Sequence, residues 1–349
     1  MKNKYRWLMV ICIIPFLWLG GCVTESQTEG KEKQVKVSAE ESNSQSEQNE
    51  DTAKNNNGTF GAEGNADIKV TLLGTGSPVL SMDRFGSATL VEAGDERLLF
   101  DVGRGAALRL DQIDIAPGMI DKLFVTHLHH DHTVGFADLL ITAAVPDPRG
   151  NREGDFKVWG PKGTENMVNS TIQAFEVDIQ TRKKVEGATG LDAEVNEVEE
   201  GVVYESNGVE VIAFNVDHGL MKPALGYRIN YNEHSVVISG DTTYTENLIK
   251  YAKGTDLLIQ EVVVVKGPEE EYQSEAHKNI EAYHTTPEQA GEIFNEVNPK
   301  LAVYTHIATF LPEHEATIVD RTKEIYDGKV VLGEDLMTIE IGDEVKIRD

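Results

Sequence analysis

Cysteine is nearly absent from this 349-residue chain, with Cys12 and Cys22 the only two. Disulfides therefore cannot staple a small core here, and the fold must rest on a conventional apolar interior. Basic side chains are scarce as well: 32 Lys plus Arg face 59 Asp plus Glu, a formal charge of −27 at pH 7. Nucleic-acid binding depends on neutralising phosphates with a basic face, and this chain lacks the gross balance for it. Long apolar runs are missing too, except for residues 7–19, a stretch short for a membrane span. No internal repeat is visible, so a single non-repetitive domain is expected to hold the chemistry.

What is present begins with that apolar run. Lys2, Lys4 and Arg6 precede it and Leu19-Gly20-Gly21-Cys22 follows, the order of a signal peptide with a small-residue cleavage site. Leu-Gly-Gly-Cys resembles a bacterial lipobox. That resemblance implies that residues 1–21 are removed, that Cys22 is lipidated, and that the protein is an extracytoplasmic lipoprotein anchored to the membrane. An uncleaved signal anchor is the alternative, again with the bulk outside the cytoplasm. Removing 1–21 also removes Cys12, so no intrachain disulfide could form. Without Lys2, Lys4 and Arg6 the balance is 29 basic against 59 acidic side chains, a charge of −30. Residues 22–67 hold too few large apolar side chains to order themselves and are expected to be a disordered acidic tether. Residues 68–349 suit one α/β domain.

The most informative stretch is Thr126-His127-Leu128-His129-His130-Asp131-His132, directly after an apolar strand. His127 and His129 stand two apart, so an extended or tightly turning backbone points both imidazoles the same way. Asp131 and His132 can then address a second ion. Nitrogen ligands with a carboxylate suit zinc best, with iron or manganese as competitors. His130 is the spare member. A solvated His-rich loop is the bland alternative, and other strand ends weigh against it. Residues 211–216 run into Asp217-His218-Gly219, 235–239 into Gly240-Asp241-Thr242, and 301–304 into Thr305-His306. Short apolar runs closed by metal-competent residues are what a buried sheet presents along one rim. Helices are predicted over 105–112, 134–144, 164–175, 287–297 and 313–326.

In this order the motifs resemble the metallo-β-lactamase superfamily, and within it the ribonuclease Z and arylsulfatase-like branch. The resemblance runs from residue 68 to the C-terminus. It rests also on Leu73-Gly74-Thr75-Gly76-Ser77-Pro78, Phe100-Asp101-Val102-Gly103, Leu225-Gly226-Tyr227-Arg228, and Tyr283-His284-Thr285-Thr286 followed by Ala290. It implies an α/β fold, the αββα sandwich of two mixed sheets flanked by helices. It implies that His127, His129 and His218 hold one zinc, that Asp131, His132 and His306 hold the other, and that Asp241 bridges. Asp131 is thereby expected to be catalytic as well as a ligand. Asp rather than Cys at 241 argues against the main β-lactamase subclasses. The resemblance further implies that His284 donates the leaving-group proton and that Glu261 orients it. A carboxylate against the other ring nitrogen would favour the charged, donating form. The branch has His before this carboxylate, whereas Gln260 stands here. Thr285-Thr286-Pro287-Glu288 reads equally as a helix start. Gly74-Thr75-Gly76 admits either close approach of a ligand or a tight turn.

Two zinc ions a few ångströms apart would activate a shared water and clamp the oxygens of an ester. The expected enzyme is a metal-dependent hydrolase with two Zn2+, Mn or Fe being alternatives, acting as a phosphodiesterase or arylsulfatase on a small ester. Between the His cluster and His218 there is no long Gly/Lys-rich arm like the one with which ribonuclease Z grips transfer RNA. Arg182-Lys183-Lys184 reads as a solvated helix end, and transfer-RNA processing is not expected. The alternatives are a lactone or β-lactam hydrolase and a non-catalytic zinc- or ligand-binding surface lipoprotein, which a missing ligand would favour. The expected partners are a small anionic ester and, through the lipid anchor, the membrane, with no nucleic acid; a homodimer is left open.

Overall fold

In Val236-Val237-Ile238 and Leu257-Leu258-Ile259 successive side chains point to opposite faces of a strand, yet all six are buried. Such strands need cover on both sides. The computed structural model, which describes residues 66–348, supplies it with two sheets and two helical layers. In chain order the first strands are β1 (Ile68–Gly74), β2 (Ala88–Ala93), β3 (Glu96–Phe100), β4 (Lys122–Phe124), β5 (Phe156–Gly160), β6 (Ala193–Glu197) and β7 (Gly201–Ser206). Then come β8 (Val209–Asn215), β9 (Leu225–Tyr231), β10 (His234–Ile238), β11 (Leu257–Val264), β12 (Leu301–Thr309), β13 (Val330–Leu332), β14 (Thr338–Ile341) and β15 (Val345–Arg348). One sheet has the order β15-β14-β1-β2-β3-β4-β5-β6, the other β13-β12-β11-β10-β9-β8-β7. Both are mixed: β3 to β6 and β10 to β13 run parallel, while β1 pairs antiparallel with β2 and β14, and β7 to β10 are antiparallel.

The helices are α1 (Ala106–Gln112), α2 (His130–Thr133), α3 (Phe136–Thr142), α4 (Thr164–Ala174), α5 (Glu176–Val185), α6 (Glu246–Ala252), α7 (Glu275–Glu281), α8 (Pro287–Val297), α9 (Pro312–Glu315) and α10 (Ile318–Lys323). Val70, Leu72, Phe100, Tyr227, Ile259 and Val303 fill the space between the sheets. Leu73, Leu99 and Leu123 face the other way, onto Leu110 of α1 and Phe136 and Leu139 of α3. On the opposite side Val237, Leu258 and Ala302 meet Leu248 of α6, Ile293 and Phe294 of α8 and Ile318 of α10. The layers are therefore αββα, as expected. Near the functional rim Phe124 stacks between Phe100 and Trp159, with ring centroids 5.0 and 4.8 Å away. The Tyr227 hydroxyl donates to the Val125 carbonyl at 2.7 Å, tying the second sheet to the backbone that leads into His127.

Helix α8 has the predicted bounds, and Thr286 with Gln289 forms a capping box ahead of Pro287. The region 313–326 instead breaks into α9 and α10, because the Thr317 amide and hydroxyl both donate to the His314 carbonyl, at 3.1 and 2.8 Å. Helix α5 carries Arg182-Lys183-Lys184 in its last turn, as expected of that basic group, whereas α2, α6 and α7 were not expected. None of the residues of α7 is buried, so it carries no apolar period to read. Gly74 permits close backbone packing of its loop, because a Cβ there would lie 2.1 Å from the Gly86 carbonyl oxygen. The Asp335 carboxylate fastens that loop, accepting from the Thr75 amide and hydroxyl, the Phe85 amide and Arg109, all at 2.7–2.8 Å.

The signal segment, Cys22 and the tether through residue 65 lie outside the described residues. Among the described residues no helix is long and apolar enough to cross a membrane.

Candidate metal centre

Each of the seven expected ligands arrives from a segment adjoining the second sheet's rim or the end of β4. His127 and His129 follow β4, Asp131 and His132 lie in α2, His218 follows β8 and Asp241 follows β10. His306 departs from expectation. It lies inside β12, not at its end, because β11 and β12 continue to Val264 and Thr309. Glu261 pairs with Thr305 and Val262 with Ile307, so His306 is the extra residue of a β-bulge, with φ of 44°. Glu261 likewise sits within β11. All seven side chains nevertheless converge, and all but His129 are buried. His130 is 62% exposed.

The donor atoms form two groups sharing Asp241 Oδ2. In the first, His129 Nδ1 lies 3.0 Å from His127 Nε2 and 3.1 Å from His218 Nε2. Asp241 Oδ2 is 3.7 and 3.8 Å from those two Nε2 atoms. In the second, Asp131 Oδ2 is 3.1 Å from His306 Nε2 and 3.6 Å from His132 Nε2. Asp241 Oδ2 completes it at 3.3 Å from His306 and 3.4 Å from His132. Four donors about 2.05 Å from a tetrahedral ion stand about 3.3–3.4 Å apart, and both groups scatter around that edge. His132 Nε2 and Asp241 Oδ1 have no hydrogen-bond partner among the described residues. The residues fit two metal ions.

Surrounding hydrogen bonds turn the ligand nitrogens inward. Asp101 accepts from the Thr126 amide and hydroxyl, each at 2.8 Å, and from His132 Nδ1 at 2.7 Å. Since the Thr126 hydroxyl proton goes to Asp101, its oxygen accepts from His127 Nδ1 at 3.0 Å. His218 Nδ1 donates to the Tyr283 carbonyl at 3.0 Å. In all three rings the proton is held on Nδ1 and the Nε2 lone pair faces the centre. Gly219, at φ of 61°, makes room for this, because a Cβ there would approach Tyr283 Cβ to 3.0 Å.

Burial pushes the pKa of His127 well below its ordinary value and that of His218 down to about 4, which keeps them neutral donors. At His132 burial works the same way, but Asp241 and Asp101 outweigh it and favour positive charge. Asp101 lies within a motif quoted from the sequence, yet nothing local revealed its role as the brace for one ligand of each group. Asp101→Asn should weaken metal affinity about 10–100-fold, as read by competition with a chelator. Unchanged affinity would make it a packing residue.

His284 stands beside these groups, its ring 4.8 Å from that of His218 and 5.6 Å from that of His306. Its Nδ1 meets Glu261 Oε1 at 3.2 Å, leaving Nε2 for the site. The same oxygen accepts from the Thr285 amide at 2.9 Å and the Thr242 amide at 3.2 Å. Burial opposes charge on His284, but Glu261 overcomes it and raises the pKa to about 9. Gln260, where the branch has His, is buried and donates to the Thr285 hydroxyl at 3.3 Å, bracing the segment that carries His284.

Residues 96–307 match the family model described as a beta-lactamase superfamily domain. Ribonuclease Z of Mycobacterium sp. (strain KMS) is 34% identical over 279 residues, covering 78% of this chain and 96% of that protein. The human tRNase Z, short form, superposes with a TM-score of 0.60 at 24% identity, covering 78% of this chain and 99% of that one. The metallo-beta-lactamase fold protein YhfI from Bacillus subtilis gives 0.60 at 20% identity, with 78% and 98% covered. A buried His/Asp cluster suited to two ions, at the rim of an αββα sandwich, defines a metal-dependent hydrolase. The chain belongs to the metallo-β-lactamase superfamily and is ribonuclease Z-like.

Proposed function

We propose that this chain is a dinuclear-zinc hydrolase of small phosphodiesters or sulfate esters, attached through a lipidated Cys22 on the outside of the cell membrane. The observation that carries the reading is the His284–Glu261 pair, aimed at the same space as two complete ligand groups. His127, His129 and His218 would hold one ion, and Asp131, His132 and His306 the other, with Asp241 shared; manganese or iron could replace zinc. When bound, the ions would supply a water of lowered pKa and stabilise charge on the ester oxygens. His284 holds a proton on Nε2 for the departing oxygen, and Glu261 keeps the ring charged and aligned.

Relatives named ribonuclease Z favour a second reading, cleavage of an RNA phosphodiester. The acidic chain weighs against it. So does α5, where Arg182 pairs with Asp178 and Glu186, and Lys183 with Asp192. The deciding experiment takes the full chain from the membrane fraction, measures zinc, and screens aryl phosphodiesters, aryl sulfates, lactones, β-lactams and a transfer-RNA precursor. Turnover is expected in the first two classes. Dominant cleavage of the precursor would install the second reading, and recovery only from the soluble fraction would remove the anchor.

A further inference from the structure

The centre opens into a cavity of about 410 Å3. Beyond the metal-competent residues its wall is mainly apolar, from Val79 in the loop after β1, Ile280 in α7, Tyr283, and Ala308 and Phe310 at the end of β12, with Ser77 and Thr309 contributing hydroxyls. This wall is built and backed. Phe310, Ile280 and Tyr272 pack on the buried Val263, Val265 and Ala308, and the Phe310 ring lies 4.4 Å from that of His277. Tyr283 stands edge-on to His218, with centroids 5.2 Å apart, and 5.0 Å from the ring of His284. Among the described residues no Lys or Arg lines the cavity.

We infer that the group attached to the reacting ester is apolar, aromatic or alkyl, and carries no second anionic charge. The inference rests on the function proposed above. A second phosphate is held most strongly by a Lys or Arg, and the wall offers neither; outside the ion-binding groups and His284 its one imidazole is His130, which is 62% exposed. The wall adjoins His284, the proton donor, so the apolar part belongs to the departing alcohol. An aromatic group placed there would leave water for Phe310, Ile280 and Tyr283, a gain that scales with the apolar area removed from solvent.

Calorimetry on the zinc-loaded full chain tests this without turnover, using methylphosphonate, phenylphosphonate and 4-carboxyphenylphosphonate. Phenylphosphonate should bind at least about tenfold more tightly than methylphosphonate, the scale on which a hydrophobic pocket discriminates. The para-carboxylate should weaken binding. Phe310→Ala should reduce the phenyl-to-methyl ratio about tenfold, and Ile280→Ala, on a half-buried helix position, should reduce it less. A wild-type ratio near one, tighter binding of the carboxylate, or a ratio unmoved by both substitutions would overturn the inference. Should the ratio behave as expected while no ester is hydrolysed, the proposed function fails and the apolar wall stands.

Discussion

His284→Ala should retain both metals and lose about 10²–10⁴ in turnover on an ester with a poor leaving group, the range of general-acid catalysis. An activated nitrophenyl ester departs with little protonation, so its loss should be far smaller. The pH profile carries the same signature. With its pKa raised to about 9, His284 is protonated below that value and loses its proton as pH rises through it. Activity on the poor leaving group should therefore decline on the alkaline side. Glu261→Gln removes the charge that raises the pKa and should move that decline to lower pH, with a partial loss of rate. Equal losses on good and poor leaving groups would assign His284 to binding or support instead.

Metal content should collapse in Asp241→Ala, from near two equivalents to below one, and turnover with it. Oδ2 of this residue stands within 3.3–3.8 Å of four ring nitrogens drawn from both groups, so its loss opens both coordination spheres together. Burial works against ionisation of Asp241, yet the surrounding His306 and His132 hold its pKa well below the carboxylate range. It therefore keeps its negative charge across working pH. His130→Ala is the control for metal content and should keep both equivalents. Full retention of metal by Asp241→Ala would remove the bridging assignment.

The ligands could be read from sequence because each is a chemically distinctive residue beside an apolar strand: the His127–His132 cluster is local, and the periodic runs announced where His218 and Asp241 would emerge. The αββα layering was implied by the resemblance that the ordered motifs carry, and the central strands β10 and β11, buried on both faces, agree with it. What was not legible depends on contacts between distant segments. Asp101 braces His132 from 31 positions away, and no pattern around Phe100-Asp101-Val102-Gly103 states that. Helix α7 has no buried face to generate a period, although Ile280 on it shapes the cavity. The break at Thr317 turns on one hydroxyl choosing a backbone carbonyl over solvent.

The single extra residue at His306 sets the phase of everything that follows it in the strand. Ahead of the bulge the even positions Ala302 and Tyr304 face the helices, whereas after it the odd position Ile307 does. Ala308 thereby joins Val263 and Phe310 in the group behind the cavity wall. Had the strand kept regular alternation, 306 and 308 would have continued on the helix side. Ligand placement and choice of ester substituent are consequently written into one count of residues. In a lineage of such chains, a gain or loss of one position here would change metal binding and substrate preference in the same step, while substitutions on α7 could retune preference alone.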